Sequence, residues 1–304
     1  MAVSRFSNSR FTQALPKYTR FWDQTTTISV PITVDFLVVA GGGAAGSQES
    51  NYYSGGGGGG GLRTSVGTSG KNSSAESSLT LNTLTTYTIT VGNGGAYQTT
   101  SGTKGDNGGN SSISGTGLTT VTSTGGGGAA YNSAQTTGNG GCGAGAGGDG
   151  GASRGTGTAN QGYDGGQTTL VSGGGWAGAA GGGAGSIGGD SNNTTGKGGT
   201  GGGGLGNSIT GSTIYYSAGG GGGKGYYGSA PAVGDNGEYW TQNANEGHGG
   251  RVNGTTANSI SNGKSGVVIL RTTQAATSTT GSPTYTTSGS YHIYKFTGDG
   301  SITY

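Results

Sequence analysis

Seventy-eight of the 304 residues are glycine and only four are proline. An ordered glycine loses more backbone entropy on folding than any other residue, roughly 0.5–1 kcal/mol relative to alanine. Over all 78 positions the handicap is on the order of 40–80 kcal/mol. A chain carrying it either stays disordered or uses glycine where no Cβ can be accommodated. Collagen is excluded, because its triple helix needs glycine at every third position and abundant proline. Here the glycines stand in uninterrupted runs, such as Gly55 to Gly61 and Gly125 to Gly128.

A flexible linker is the plain alternative for a chain rich in Gly, Ser, Thr and Asn. Against it, the tracts are bracketed by segments patterned as β-strands. TTTISVPITVDFLVVA (Thr25 to Ala40) is dense in β-branched residues and runs straight into Gly41, as a buried strand does before an abrupt loss of side chains. In SSLTLNTLTTYTITVG, Leu79, Leu81, Tyr87, Ile89 and Val91 alternate with polar residues, and a similar pattern recurs around Ile113, Leu118 and Val121. GVVILRTT (Gly266 to Thr273) is another dense strand, so the first and last strands of this region are expected to meet in one sheet.

Between residues 125 and 250 strand signals are sparse, with only STIYYS (Ser212 to Ser217) and TTLVSG near Val171. A structureless stretch of that length is unusual inside a compact domain. Glycine can instead form extended left-handed helices with three residues per turn and no internal hydrogen bonds. Packed side by side, such helices satisfy their N–H and C=O groups laterally. The expected fold is therefore all-β, a β-sandwich-like base with stacked polyglycine II helices and long loops and essentially no α-helix.

Three zones follow. Residues 1–22 form a basic, aromatic arm, with Arg5-Phe6, Arg10-Phe11 and Arg20-Phe21-Trp22 as candidate docking contacts, since arginine beside an aromatic is typical of contact anchors. Residues 23–273 are the glycine-rich body. Residues 274–304 read as a linker followed by a β-hairpin, with Tyr291 to Phe296 and Ile302 to Tyr304 as its strands around Gly298-Asp299-Gly300.

Charge is scarce. Charged residues make up 9% of the chain, so hydroxyls and amides must keep it soluble. The arm holds four basic residues and no acid; the remainder holds 10 basic and 12 acidic residues, a net of −2. The body offers no electrostatic footprint for nucleic acid. No apolar run approaches the ~20 residues that span a membrane, and the start of the chain lacks the apolar core of a signal peptide. Cys142 is alone and cannot form an internal disulfide. Synthesis and folding in a cytoplasm are expected.

Catalytic and cofactor motifs are absent. GxGxxG at Gly143, Gly145 and Gly148 is a chance match at this glycine content, and no crossover helix follows it. The run ending Lys224-Gly225 imitates a phosphate-binding loop but lacks the Ser or Thr after the lysine, and Ala218 stands at its first glycine position. His248, His292 and Cys142 show no metal-ligand spacing. No enzyme activity, cofactor or metal is expected.

The aromatics sit at tract boundaries. Tyr52, Tyr53, Tyr131, Tyr163, Tyr226, Tyr227, Tyr239 and Trp240 are the candidate receptor-binding residues, because Tyr and Trp pair a flat apolar face with a polar tip and Tyr/Gly/Ser/Asn loops make effective binding surfaces.

In order along the chain, VDFLVVAGGGAAG, GGGGGGGLRTS, YTITVGNGGA, GDNGGNSSIS and SGVVILRTT resemble the glycine-rich domain frequent in tail fibres and related virion proteins of bacteriophages. More distantly, in architecture and composition, the body is similar to the adhesin tips of T-even-type long tail fibres, in which stacked polyglycine II helices carry host-recognising loops. The resemblance implies a virion fibre or adhesin, made in the host cytoplasm, that docks onto other virion proteins through its arm. Its aromatic loops would bind a host surface glycan or outer-membrane protein. It also implies a place on the virion, with a decoration or connector protein lacking a receptor as the alternative. Such fibres are often trimers, so a homotrimer is one expectation, although nothing here resembles a coiled-coil trimeriser.

Overall fold

In the computed structural model, residues 28–47, 54–100, 102–132, 135–148, 153–169, 176–225, 246–252 and 261–304 are described. The chain divides into two units, Met1–Val30 and Pro31–Tyr304, and the second holds all of the architecture below. The expected arm contacts, Arg5 to Trp22, lie outside the described residues, as does the segment near Val171.

Fifteen strands are present among the described residues: β1 (Pro31–Val39), β2 (Leu62–Thr64), β3 (Thr68–Ser69), β4 (Ser73–Ser74), β5 (Leu79–Asn82), β6 (Thr86–Thr90), β7 (Ser111–Gly115), β8 (Leu118–Ser123), β9 (Leu205–Asn207), β10 (Ile214–Tyr216), β11 (Val267–Thr272), β12 (Ser278–Thr280), β13 (Thr284–Ser288), β14 (Tyr291–Phe296) and β15 (Gly300–Thr303). Among the described residues the only helical turn is a short 3-10 segment, Gly70–Asn72. One large sheet runs β13-β14-β11-β1-β2, with β5 on the first half of β1; a second runs β12-β15-β6-β7-β8, and β9-β10 and β3-β4 are two-stranded ribbons. The first and last strands of the body do meet: β1 pairs antiparallel with β11, Phe36 opposite Leu270 and Val38 opposite Val268.

The two large sheets enclose one core. Val34, Phe36, Val38, Leu81, Val268, Leu270, Tyr294 and Phe296 face Tyr87, Ile89, Ile113, Ile302 and Tyr304. Alternate residues of a strand point to opposite faces, so Leu37, Val39, Val267 and Ile269 emerge on the other side of the first sheet. There they are covered by Ile209, Tyr216 and neighbours around the β9-β10 ribbon. Burial on both faces explains why β1 reads as continuous hydrophobic sequence, whereas β6 alternates and leaves Thr86, Thr88 and Thr90 exposed. The hydroxyls expected to replace charge at the surface lie there.

The C-terminal pairing differs from the expected hairpin. Both strands form, but they do not pair with each other. β14 lies between β11 and β13 in the first sheet, and β15 lies between β6 and β12 in the second. Residues 297–299 turn a corner from one sheet to the other, so Phe296 and Ile302 enter the same core from opposite sides. Each strand thereby gains two ladder partners where a free hairpin would give it one. Part of the expected linker is β12. The same corner device recurs between β5, which pairs with β1, and β6, in the second sheet, across a turn with Leu84 at φ 60.

Beyond the strands the glycine tracts run as rods. From β1 the chain continues into rod 40–47, whose hydrogen bonds repeat every three residues. The N–H groups of Ala40, Gly43 and Gly46 donate to Gly61, Gly58 and Gly55 at 3.0, 2.8 and 3.3 Å. Those of Gly41, Ala44 and Ser47 donate to Gly109, Asp106 and Thr103, and those of Gly42 and Ala45 to Lys264 and Ser261. The carbonyls of Gly41, Gly42 and Gly43 accept from Gly126, Gly95 and Gly250. Rod 40–47 thus has neighbours on six sides, and a three-residue turn with lateral bonding alone is the polyglycine II arrangement. Rod 54–61 is enclosed in the same way by segments around 40–46, 124–130, 142–145, 179–182, 220 and 247–250. The backbone lattice takes the place of a side-chain core.

Candidate functional site

The strands set the direction of the rods. Rods leave the sandwich after β1, β6, β8 and β10 and return into β2, β7, β9 and β11. Hydrogen bonds from Cys142 and Gly145 to Gly59 and Gly56 show that 142–146 also runs outward, antiparallel to rod 54–61. The described rod ends at 47 and 54, 96 and 103, 130 and 138, 146 and 155, 166 and 177, 191 and 198, and 252 and 261 therefore lie at one end of the bundle, opposite the sandwich.

Among the described residues of that end, Tyr97 is 39% exposed and Trp176 is 42% exposed. Around them stand mainly neutral polar groups, including the exposed Thr99, Thr100, Thr136, Asn192, Thr194 and Thr195, with Lys197 exposed at the turn. Side-chain amides tie the loops to the rods. Asn262 Oδ1 accepts from the Tyr97 N–H at 2.9 Å. Asn193 accepts from the Ala177 N–H at 2.9 Å and donates to the Thr169 carbonyl at 2.7 Å, tying Thr169 and Ala177, next to Trp176, to the turn at 192–195. Gln135 accepts from the Tyr131 N–H at 2.8 Å and donates to the Gly102 carbonyl. Nearby, partial burial lowers the Lys104 ammonium pKa below its ordinary value, with Asp106 opposing the shift. The arrangement presents flat aromatic faces and neutral donors and acceptors on a rigid support, which suits recognition of an uncharged polar surface.

The expected receptor residues separate into three groups. Tyr52, Tyr53, Tyr226, Tyr227, Tyr239 and Trp240 lie outside the described residues; Ser47 and Ser54, which flank the first pair, stand at the far end. Tyr131 is only 2% exposed and closes the end of rod 124–130 as packing. Tyr163 stands at the sandwich end, where its Oη accepts from Asn72 Nδ2 at 3.1 Å and Lys71 Nζ sits 5.8 Å from its ring centre. Tyr97 and Trp176 were not among those candidates. Their signal was available, since Trp176 directly follows a glycine tract and Tyr97 follows one across Ala96, but proximity to glycine does not distinguish a plug from an exposed ring.

A buried polar cluster lies where the rods meet the sandwich. The Ala218 N–H donates to His248 Nδ1 at 3.0 Å, and His248 Nε2 lies 2.9 Å from Glu246 Oε2. Because Nδ1 is an acceptor, the ring proton sits on Nε2 and is donated to the carboxylate. Cys142 Sγ is 3.4 Å from Ser217 Oγ, which donates to the Gly60 carbonyl. Burial pushes the Cys142 thiol from 9.0 up to about 12, outweighing its bonds to Ser217 and Tyr163. A thiol so held is not a nucleophile at neutral pH. Among the described residues no group of three or more His, Cys, Asp or Glu side chains could hold a metal ion.

The pKa directions set an alkaline limit on stability. Burial raises the Tyr216 and Tyr304 hydroxyls as well, with smaller contributions from Glu246 and Tyr294. A group whose folded pKa exceeds its unfolded value stabilises fully below the unfolded pKa and loses that contribution as pH rises toward the folded one. The melting temperature is expected to hold to about pH 9 and fall progressively toward pH 12, as followed by thermal denaturation, on the Cys142 shift from 9.0 to about 12. Iodoacetamide at neutral pH should leave Cys142 intact in the folded protein and label it in denaturant.

No curated protein matches the chain. The glycine-rich domain family matches residues 21–273, from the segment before β1 through the end of β11, so the match takes in the rods together with the strands that launch and receive them. The protein belongs to the glycine-rich domain family.

Proposed function

We propose that this protein is a surface protein of a bacteriophage virion and binds a host cell-surface glycan through the loops at the far end of its rod bundle. One observation carries the reading: a hydrogen-bonded backbone lattice brings its described rod ends to one end of the bundle, and Tyr97 and Trp176 are exposed there among mainly neutral hydroxyls and amides. Aromatic rings stack on sugar rings while amides and hydroxyls bond their hydroxyls. Lattice rigidity limits the ordering cost that binding would otherwise incur. The basic, aromatic arm of residues 1–22 docks onto another virion protein.

Labelled protein is expected to bind candidate host cells saturably and in a strain-specific way. Tyr97→Ala with Trp176→Ala should weaken that binding about tenfold or more, a size ordinary for aromatic anchors, with the far-ultraviolet spectrum unchanged. Removing surface polysaccharide from the cells should abolish binding. Binding that survives this but is lost after protease treatment points to an outer-membrane protein. A folded sample that binds no strain leaves the decoration or connector role.

A further inference from the structure

The two sides of the sandwich are finished differently. On one side the sheet edges are sealed. The outward N–H of Leu62 in β2 donates to the Gln161 carbonyl at 3.1 Å, and the Thr64 carbonyl accepts from the Glu76 N–H at 2.9 Å. The Thr122 carbonyl in β8 accepts from Arg63 Nη1 at 3.2 Å, with Arg63 itself held by Glu76. On the other side β13 and β12 end their sheets. All five residues of β13 (TYTTS) and all three of β12 (STT) are exposed. Beyond the ladder to β14, no backbone hydrogen bond is formed by β13 among the described residues.

An exposed edge is a row of unpaired N–H and C=O groups that templates a further strand, and proteins ordinarily blunt it with lysine, proline or a bulge. β13 and β12 carry no charge and no proline, and their ladders to β14 and β15 run without a register shift. Both edges lie on the same side, because residues 281–283 join them directly and β14 and β15, their partners, are joined by 297–299.

We propose that this open side pairs with the same side of a second copy of the chain, β13 against β13 and β12 against β12, in an antiparallel two-fold dimer with continuous sheets. A strand that meets itself across a two-fold axis must be self-complementary. Centred on Thr286, the register sets Thr284 opposite Ser288 and Tyr285 opposite Thr287, and Thr286 meets its own counterpart. No pair is charged, and β-branched residues, aromatics and hydroxyls are favourable cross-strand neighbours. A partner bound through charge would find no handle on either strand. The side chain of Tyr285 is fixed for the contact, since its Oη lies 2.7 Å from His292 Nδ1 and its ring stacks on that imidazole. The open edge is on the sandwich, remote from the far-end loops, so self-association and cell binding are separable.

Sedimentation of the full chain should show a monomer–dimer equilibrium. Thr286→Lys and Thr286→Glu each place like charges face to face across the axis, which costs several kcal/mol, so each should raise the dimer dissociation constant by about a hundredfold. An equimolar mixture of the two variants should associate again. That rescue reports on the register and cannot come from misfolding, and circular dichroism of each variant should match the parent. A parent that is monomeric at every concentration, a trimer, a dimer indifferent to both charges, or a mixture that stays monomeric overturns the proposal.

Discussion

Gly57→Ala is expected to unfold the rod bundle, with a loss of more than about 4 kcal/mol in chemical denaturation, beyond the range of ordinary point substitutions. Gly57 lies in rod 54–61, where its N–H donates to Gly250 and its carbonyl accepts from Gly220. A Cβ there would overlap the carbonyl group of Gly43 in rod 40–47. In a side-chain core an added methyl is relieved by rotamer changes, at about 1–3 kcal/mol. Here the obstacle is backbone, and the same backbone is bonded on its other sides to Gly109, Asp106 and Lys264 and their neighbours. Moving it away lengthens several hydrogen bonds at once, and buried backbone groups left unpaired cost about 1–3 kcal/mol each. Gly298→Ala supplies the control. A Cβ at Gly298 meets nothing within 4 Å, so its effect should stay within about 0.5 kcal/mol. If both variants were equally stable, close backbone approach would not be the reason for the glycine.

Phe36→Ala should cost about 3–5 kcal/mol, as for other large aromatic truncations in a core. Its ring is 1% exposed between the sheets, and its strand is held by Leu270 on one side and by the Ser65 segment on the other, whose N–H donates to the Phe36 carbonyl at 3.0 Å. The greater interest is where the loss is felt. β1 becomes rod 40–47 without a turn, so sandwich and rods should unfold as one unit. Hydrogen exchange should show the amides of Gly41, Gly42 and Gly43 losing the same free energy of opening as those of β11. Loss confined to the strands, with rod amides still protected, would show that the lattice stands on its own.

The rods were legible in the sequence because their cause is local in composition: no other residue lets backbone approach backbone on several sides. β1 and β11 were legible for a similar reason, since strands buried on both faces need continuous hydrophobic residues. β9 was not, because its Leu-Gly-Asn carries no period and is strand only through its ladder to β10. The chemistry of the far end was only half readable. Tyr97, Tyr131, Tyr163 and Trp176 look alike in sequence, each within two residues of a glycine tract or three of one across alanine, yet Tyr131 is packed, Tyr163 lies at the sandwich end and the other two are exposed.

By itself, the sequence determined what kind of structure was possible: glycine without proline allows laterally bonded rods, and alternating β-branched residues require sheets to carry them. Only the tertiary structure decided which strands pair, which end collects the loops and which aromatics reach solvent. YHIYKF and GSIT read as a hairpin, because a two-residue alternation separated by a turn is common to a hairpin and to a corner between sheets. The choice between them rests on which edges elsewhere in the chain are left unpaired, β11 on one sheet and β6 on the other. Open ladder positions on distant strands are long-range quantities, and no local pattern records them.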